Sequence, residues 1–411
     1  MANKTFDYGD LRISMTSNYG WVWDDTGSGA TRSVCLWTPS SQGDLFPLGD
    51  YAQPGSFFEI GGKRASLLVG QNPNTRPTQP AVARPIDYTQ IWGDWGSGGK
   101  HDGRIWRPVA PAGYVALGDV GSYGYSSKPS VNKIWCVRQD LVGYGKFLEN
   151  STWTNQGSGA SLDVSFWAVH PNSIGVEGAE CLPVLADTFR AYGNYSRPSG
   201  DEARVLLLPA PKNYDRFRAP APQLEATKIP SAGDQFNSKE QCKLTLPFNY
   251  FFAPTHQGSL DNISNPFLTV SRSIAWIAEG VWVNNTDGTI TGQQTMKLGV
   301  SEEKREEMTH SVGVEISAPY GIELSSVSVS LNYQFEKQVT EGLDAPTHTS
   351  TPFTEYSEKQ VAVTFDVPAH TASVLFAKHI WVRASRLDSP VVIDQTELIS
   401  NDQYYFSSCN I

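Results

Sequence analysis

Three copies of one string stand in the first half of the chain. Trp23-Asp24-Asp25-Thr26-Gly27-Ser28-Gly29 lies fourteen residues, Trp to Trp, before Trp37. Trp92-Gly93-Asp94-Trp95-Gly96-Ser97-Gly98 lies fourteen before Trp106, and Trp153-Thr154-Asn155-Gln156-Gly157-Ser158-Gly159 fourteen before Trp167. The shared pattern is Trp-x-Asp/Asn-x-Gly-Ser-Gly-x7-Trp, at offsets of 69 and 61 residues. Units one and two continue alike, with Trp37-x-Pro39 leading to Gly49-Asp50 and Trp106-x-Pro108 to Gly118-Asp119; the third has Ala179-Glu180 at those places. Asx followed by Gly-Ser-Gly is turn chemistry, because glycine adopts positive φ cheaply and Asx caps the backbone two residues on. Flanking Trp residues then fall on strands. Three equivalent β units about a pseudo-threefold axis would bury those tryptophans in one shared aromatic core. A β-prism is the expected arrangement and a trefoil the alternative, which units of roughly 60–70 residues exceed.

Length and composition agree with this. A chain of 411 residues is too long for one ordinary core, so two domains are expected. Gly 36, Pro 26 and 47 aromatic residues (Trp 12, Tyr 17, Phe 18) favour short strands punctuated by turns, and the whole chain reads as all-β. A net charge of −10 argues against nucleic acid as partner and against simple docking on anionic lipid. The start of the sequence shows no apolar leader segment, and no run long enough for a membrane-spanning helix occurs. Five scattered cysteines, Cys35, Cys136, Cys181, Cys242 and Cys409, have no metal-ligand spacing. Synthesis as a soluble cytoplasmic protein is the expectation, with any outside action following lysis or another non-classical exit.

The ordered motifs of the first half resemble a known family. Ser33-Val34-Cys35-Leu36-Trp37-Thr38-Pro39, Leu45-Phe46-Pro47-Leu48-Gly49-Asp50-Tyr51, Arg84-Pro85-Ile86-Asp87-Tyr88 and Trp106-Arg107-Pro108-Val109-Ala110-Pro111, with Val131-Asn132-Lys133-Ile134-Trp135-Cys136, are similar to the plant and fungal vacuolar protein sorting-associated protein 62 family. The resemblance covers roughly residues 8 to 190 and implies a shared fold rather than an activity.

Residues 196–262 are rich in proline and read as a connecting region between a domain over 1–195 and another over 263–411. Beyond it come long strand patterns. Phe267 to Val283, then Asn284-Asn285-Thr286-Asp287-Gly288, then Thr289 to Val300 predicts a hairpin, since Asp-Gly between β-rich runs favours one. A charge cluster, Glu302 to Glu307, precedes the segment most suggestive of function. Over 308–337, Val312, Val314, Ile316 and Ala318 alternate with Ser311, Gly313, Glu315 and Ser317. A turn at Pro319-Tyr320-Gly321 leads to Ile322 and Leu324, and after a parity break to Val327, Val329, Leu331, Tyr333 and Phe335. Each arm offers about ten strand residues, the length a tilted strand needs to cross a bilayer. The polar face is small and hydroxylated, with Glu315 and Glu323 its only charges. An amphipathic hairpin on a sandwich core fits the alternation too, but the Ser/Thr-rich face and the bracketing charges favour insertion. Together with Val361 to Asp366, Val367-Pro368-Ala369-His370-Thr371 and Ala372 to Ala384, this stretch resembles aerolysin-type β-pore-forming proteins over roughly residues 265 to 400. That resemblance implies an elongated β module that oligomerises and inserts its hairpin, lining a lumen with Glu315 and Glu323.

Catalytic signatures such as G-x-S-x-G, H-E-x-x-H, a P-loop or G-x-G-x-x-G are absent, and the seven histidines stand isolated. No enzymatic activity, metal or cofactor is expected. Two readings follow: a pore-forming protein that binds a cell-surface glycan or protein receptor, self-associates on target lipid and acts extracellularly; or a non-lytic, lectin-like or trafficking protein with a plain β-sandwich. Asp25, Asp94 and Asn155, if exposed beside tryptophans and free backbone N–H groups, would suit sugar hydroxyls, although turn chemistry alone also accounts for them.

Overall fold

The computed structural model describes residues 3–55, 57–171, 181–209, 219–250, 252–298, 359–389 and 392–411. It is all-β, with one α-helical turn, Gln257–Leu260, among the described residues. These fall into two units: residues up to 209 with 247–267, and 219–246 with those from 268 onward.

In the first unit each repeat contributes three antiparallel strands, which in the third repeat extend into a six-stranded sheet because Ser165–Pro171 also pairs with Val142–Phe147. The first sheet joins Tyr19–Asp24, Val34–Pro39 and Tyr51–Pro54; the second Asp87–Gly93, Gly103–Val109 and Val120–Tyr123; the third Trp153–Thr154, Ser165–Pro171 and Phe189–Tyr192. Register explains what faces inward. Trp23 lies opposite Leu36, Trp92 opposite Ile105 and Trp153 opposite Phe166. Directly opposed residues share a face of the sheet, so all six enter one core. The three indoles meet on the axis, with ring centroids 5.7, 5.9 and 6.0 Å apart and planes inclined by 71–75°, the edge-to-face geometry that aromatic quadrupoles prefer. The arrangement is a β-prism.

The second tryptophan of each pair does not join that core. Trp37, Trp106 and Trp167 stand one residue beyond Leu36, Ile105 and Phe166. Alternation therefore turns them to the other face of their sheets. There each is buried in a separate cluster: Trp37 with Cys35 and Ile60, Trp106 with Tyr88 and Ile134, Trp167 with Phe147 and Val205. The shared core thus holds three of the six repeated tryptophans.

Each repeat also closes with a further strand. Ser66–Gln71 pairs with Leu11–Thr16, Cys136–Arg138 with Val82–Ala83, and Arg204–Pro209 with Val142–Phe147. The third repeat is complete only with Arg204–Pro209, so the unit runs past residue 195 to 209. Residues 247–267 belong to it as well: Ala65 N–H donates to Pro254 O, Asn249 Nδ2 to Leu185 O and Lys4 N–H to Ser264 O. The region expected to connect two domains is therefore divided between them.

In the second unit the strands Gln235–Pro247, Phe267–Asn284, Thr371–Arg386 and Val392–Asn410 lie side by side in that order. Ile274, Trp276, Ala278, Val374 and Phe376 cover one face, packed against Ala219, Leu224 and Phe236. The expected hairpin between Phe267–Asn284 and the following run does not form. Ile290–Leu298 pairs instead with Lys359–Val367. Asn284 is the physical reason. The carbonyl oxygens of Gly288, Val367 and Pro368 surround its buried Nδ2 at 2.8–2.9 Å and share its two hydrogens, and its Oδ1 accepts from Thr286. Those bonds turn two chains at one corner. The ladder ending at Asn284 and Thr371 resumes with Ile290 opposite Val367, and the two-stranded ribbon from there to Leu298/Lys359 folds back over the four-stranded sheet, Met296 packing on Leu375 and Ala377 and Phe365 on Trp282 and Phe406.

A histidine ties three strands of this unit together. Nε2 of buried His379 lies 2.6 Å from Glu279 Oε1 and Nδ1 lies 2.7 Å from Glu397 Oε1. Both ring nitrogens face carboxylates, an arrangement that favours the imidazolium. Burial opposes that charge, but the two carboxylates outweigh it and the pKa is raised. Glu279 is the extra residue of a bulge at Ala278/Gly280, and His379 follows one at Ala377, so the clamp sits where the ladders are irregular. A raised folded-state pKa stabilises fully below the unfolded value of about 6.5 and progressively less as pH rises through the folded value. Chemical denaturation of the second unit should accordingly show a midpoint that falls between pH 6 and pH 9. His379→Gln should lower the midpoint at pH 6 and flatten that slope; an unchanged slope would remove His379 as its cause.

Candidate functional site

The three Gly-Ser-Gly loops converge on the axis, and their bonds repeat with threefold regularity. Asp25 Oδ1, Asp94 Oδ1 and Asn155 Oδ1 accept from the backbone N–H of Val34, Gly103 and Val164 at 2.8–3.1 Å. Ser28, Ser97 and Ser158 hydroxyls accept the N–H two residues on. Glycines 27, 96 and 157 have φ of 82–89°, where a side chain would be strained. Each loop then grips the next. Lys100 N–H donates to Thr26 O, Ser161 N–H to Trp95 O and Thr31 N–H to Gln156 O, at 2.8–2.9 Å. The axial indoles follow the same cycle: Trp23, Trp92 and Trp153 Nε1–H donate to the carbonyls of His101, Leu162 and Arg32.

This corrects the expected exposure of the loop residues. Asp25, Asp94 and Asn155 are 5%, 2% and 3% exposed. Asp25 Oδ2 also accepts from the Trp153 indole, and Tyr125 and Tyr195 donate to Asp94 and Asn155. The structure brings all three together, but as turn caps whose oxygens are spent on the protein itself.

Residues 308–337, with Val312, Val314, Glu315, Ile316, Ala318, Tyr320, Ile322, Glu323, Leu324, Val327, Val329, Leu331, Tyr333 and Phe335, lie outside the described residues. Their attachment is described. Residues 299–358 join the two strands of the ribbon at its Leu298/Lys359 end. On this stretch one face is held by Met296 and Val363 with Trp282 and Phe406. Gly292 lies directly opposite Phe365, whose ring covers it, a known way of steadying a strand glycine. Thr291, Gln293 and Thr295 alternate outward and are exposed.

One surface cluster went unnoticed in the sequence. Trp21, His101 and Tyr123 form an aromatic trio with centroids 5.1, 5.6 and 6.4 Å apart. Trp21 is 38% and Tyr123 62% exposed. Asp24 beneath them accepts from Trp21 Nε1 at 3.0 Å through Oδ2 and faces His101 Nδ1 at 3.1 Å through Oδ1. Burial works against the Asp24 carboxylate, but hydrogen bonds from Thr26 and His101 outweigh it, and its pKa is lowered. The signal was available: Trp21 and Asp24 depart from the repeat, where Gln90 and Gly93, then Ser151 and Thr154, hold the same places.

The chain belongs to the vacuolar protein sorting-associated protein 62 family, whose model matches residues 1–229 and so takes in all three repeats. Curated proteins give no match. Solved structures similar to it include GNIP1Aa from Chromobacterium piscinae, at 24% identity over 48% of this chain and 37% of that one, TM-score 0.39. Another is Cry35Ab1, at 10% identity over 98% of this chain and 90% of that one, TM-score 0.29. The chain thus spans little more than a third of GNIP1Aa's length.

The loops yield a direct check. Burial, the largest influence, lifts the Asp25 carboxyl above its ordinary pKa even though Val34 N–H and the Trp153 indole favour the ionised form. Asn155 fills the equivalent position with an amide and donates to Leu162 O. At neutral pH Asp25→Asn should be neutral or stabilising, whereas Asp25→Ala, which strands Val34 N–H, should cost about 1–3 kcal/mol in urea denaturation. Equal losses in both variants would show that the charge itself is needed.

Proposed function

We propose that this is a β-pore-forming, toxin-like protein: its head binds a cell-surface receptor, copies associate on the target membrane, and the 308–337 segment inserts as a β-hairpin. The observation that carries the reading is the two-stranded ribbon of Ile290–Leu298 and Lys359–Val367, whose Leu298/Lys359 end is joined by the stretch containing that amphipathic pattern. Each strand of the ribbon would continue into one arm of the hairpin, so insertion extends an existing ladder rather than creating one.

The energetics set the requirements. Burying Val312, Val314, Ile316, Val327, Val329 and Leu331 in lipid returns roughly 1.5–3 kcal/mol each. Backbone polar groups cannot be left unpaired in hydrocarbon, so a lone hairpin cannot cross. A closed barrel is needed, and hence an oligomer. Glu315 and Glu323 would then face water and favour cations. Among the described residues no helix is long and apolar enough to cross a membrane, which leaves strands as the spanning element of this proposal.

The family description favours the other reading, a non-lytic role in trafficking. Dye release from liposomes and from target cells separates them. The full chain should release dye. Val314→Arg or Val329→Arg, each costing about 2–4 kcal/mol per copy near the bilayer midplane, should abolish release while receptor binding persists. Glu315→Lys with Glu323→Lys should reduce or invert cation preference in planar bilayers. Release undiminished by arginine at both lipid-facing positions would refute the hairpin assignment.

A further inference from the structure

The threefold repeat supplies an internal standard for separating residues that build the head from residues that do something else. Positions that obey the repeat, the axial tryptophans and the turn caps, are explained by the fold. Three equivalent seams join the repeats, and each carries the pair of residues two before one axial Trp and nine after the next. At the seam of repeats three and one, Arg32 Nη1 and Nη2 bond Ser151 O and Oγ directly, at 3.0 and 2.7 Å. At the seam of repeats two and three, the pair is Gln90 and Leu162, the latter 49% exposed. The seam of repeats one and two alone carries aromatic groups at both positions, Trp21 and His101.

Tyr123 adds to the same seam. Register places it opposite Gly103 as Pro54 lies opposite Val34, while the ladder of the third sheet stops one pair short of that place, at Ser165 and Tyr192. Asp24 is likewise peculiar to this repeat. It is 4% exposed, and it fixes the indole of Trp21 and the imidazole of His101 at once. Two ring poses are therefore set before any ligand arrives, which lowers the ordering cost of binding. Folding does not require Tyr123 to stand 62% exposed beside an exposed indole.

We infer that the Trp21–His101–Tyr123 seam is a carbohydrate subsite, the place where the head takes a pyranose ring of a surface glycan. This rests on the reading of the head as a receptor-binding module and names the partner's chemistry. A pyranose presents a patch of C–H groups on one face and hydroxyls around its rim. The exposed faces of Trp21 and Tyr123 suit the first, since rigid aromatic rings offer contact area at little entropic cost. The Tyr123 hydroxyl and His101 Nε2, the ring nitrogen that Asp24 does not face, offer polar groups for the second. A bilayer surface fits less well: a carboxylate directly beneath the rings would be pressed towards lipid, and Lys100 and Asp102 flank the patch on the exposed loop.

Saturation-transfer difference NMR on the full chain with the methyl glycosides of galactose, glucose, mannose, N-acetylglucosamine and N-acetylgalactosamine tests this without any membrane. At least one glycoside should receive saturation. Titration of that glycoside should show Tyr123→Ala weakening binding roughly tenfold or more, as for an aromatic anchor. Trp21→Phe should weaken it less, and Gln90→Ala and Leu162→Ala at the equivalent seam should leave it unchanged. Tyr123 is exposed enough that its replacement does not threaten folding. No transfer to any glycoside, or unchanged affinity in Tyr123→Ala, overturns the inference. So does a Tyr123→Ala variant impaired only in adsorption to glycan-free phosphatidylcholine vesicles, which would mark the trio as a lipid contact. Dye release is scored separately: glycan binding without leakage would sink the pore reading and leave the subsite, and leakage without glycan binding would do the reverse.

Discussion

Three indoles packed edge to face on one axis hold the head together, and each is held twice, by its neighbours' rings and by a hydrogen bond to the next repeat's backbone. Neither contact exists within a single repeat. One repeat alone would leave a large indole without partners, so the unit is cooperative by construction. The loops close the same cycle, and a second set of contacts reinforces two of the three seams. Asp50 N–H donates to Asp119 O and Asp119 N–H to Phe189 O, while Asp50 and Asp119 carboxylates accept from Gly121 and Ala191. A Cβ on Gly49 would come within 2.9 Å of Gly118 Cα, so Gly-Asp is needed where the sheets touch.

Much of this was legible in the sequence because the repeat announces it. Fourteen-residue spacing, Asx-Gly-Ser-Gly turns and the family motifs together led to an all-β prism, which is the fold observed. What was not legible was the face each tryptophan would take. Bulges at Trp21/Trp23 and Gln90/Trp92 shift the pairing by one residue, so spacing alone could not show that Trp23 faces the axis and Trp37 faces away. The head extends past residue 195 to 209, but Arg204–Pro209 carries no tryptophan and lies in a proline-rich stretch. It is recognisable as a third closing strand only by its pairing.

The second half departs from its sequence pattern for a different reason. Asp287-Gly288 is good hairpin chemistry, yet the flanking strands part company because Asn284 bonds across to Val367 and Pro368, residues more than eighty positions away. A long-range side-chain clamp of this kind leaves no local trace. The loop residues Asp25, Asp94 and Asn155 were correctly tied to the turns, but their burial depends on neighbouring loops. The Trp21 seam lies outside the repeated string, and its aromatic groups come together only through the pairing of repeats one and two. Repetition in this protein marks structure, and departures from it are the better guide to where the head meets a partner.

The central claim is that the axial indoles act as one threefold unit. Equilibrium urea denaturation of Trp23→Ala, Trp92→Ala and Trp153→Ala tests it most directly. Each variant should lose about 3–5 kcal/mol, alike to within the scatter of such substitutions, and double variants should lose less than the sum because the partner ring is already gone. Full additivity, or one repeat that tolerates the change, would contradict it.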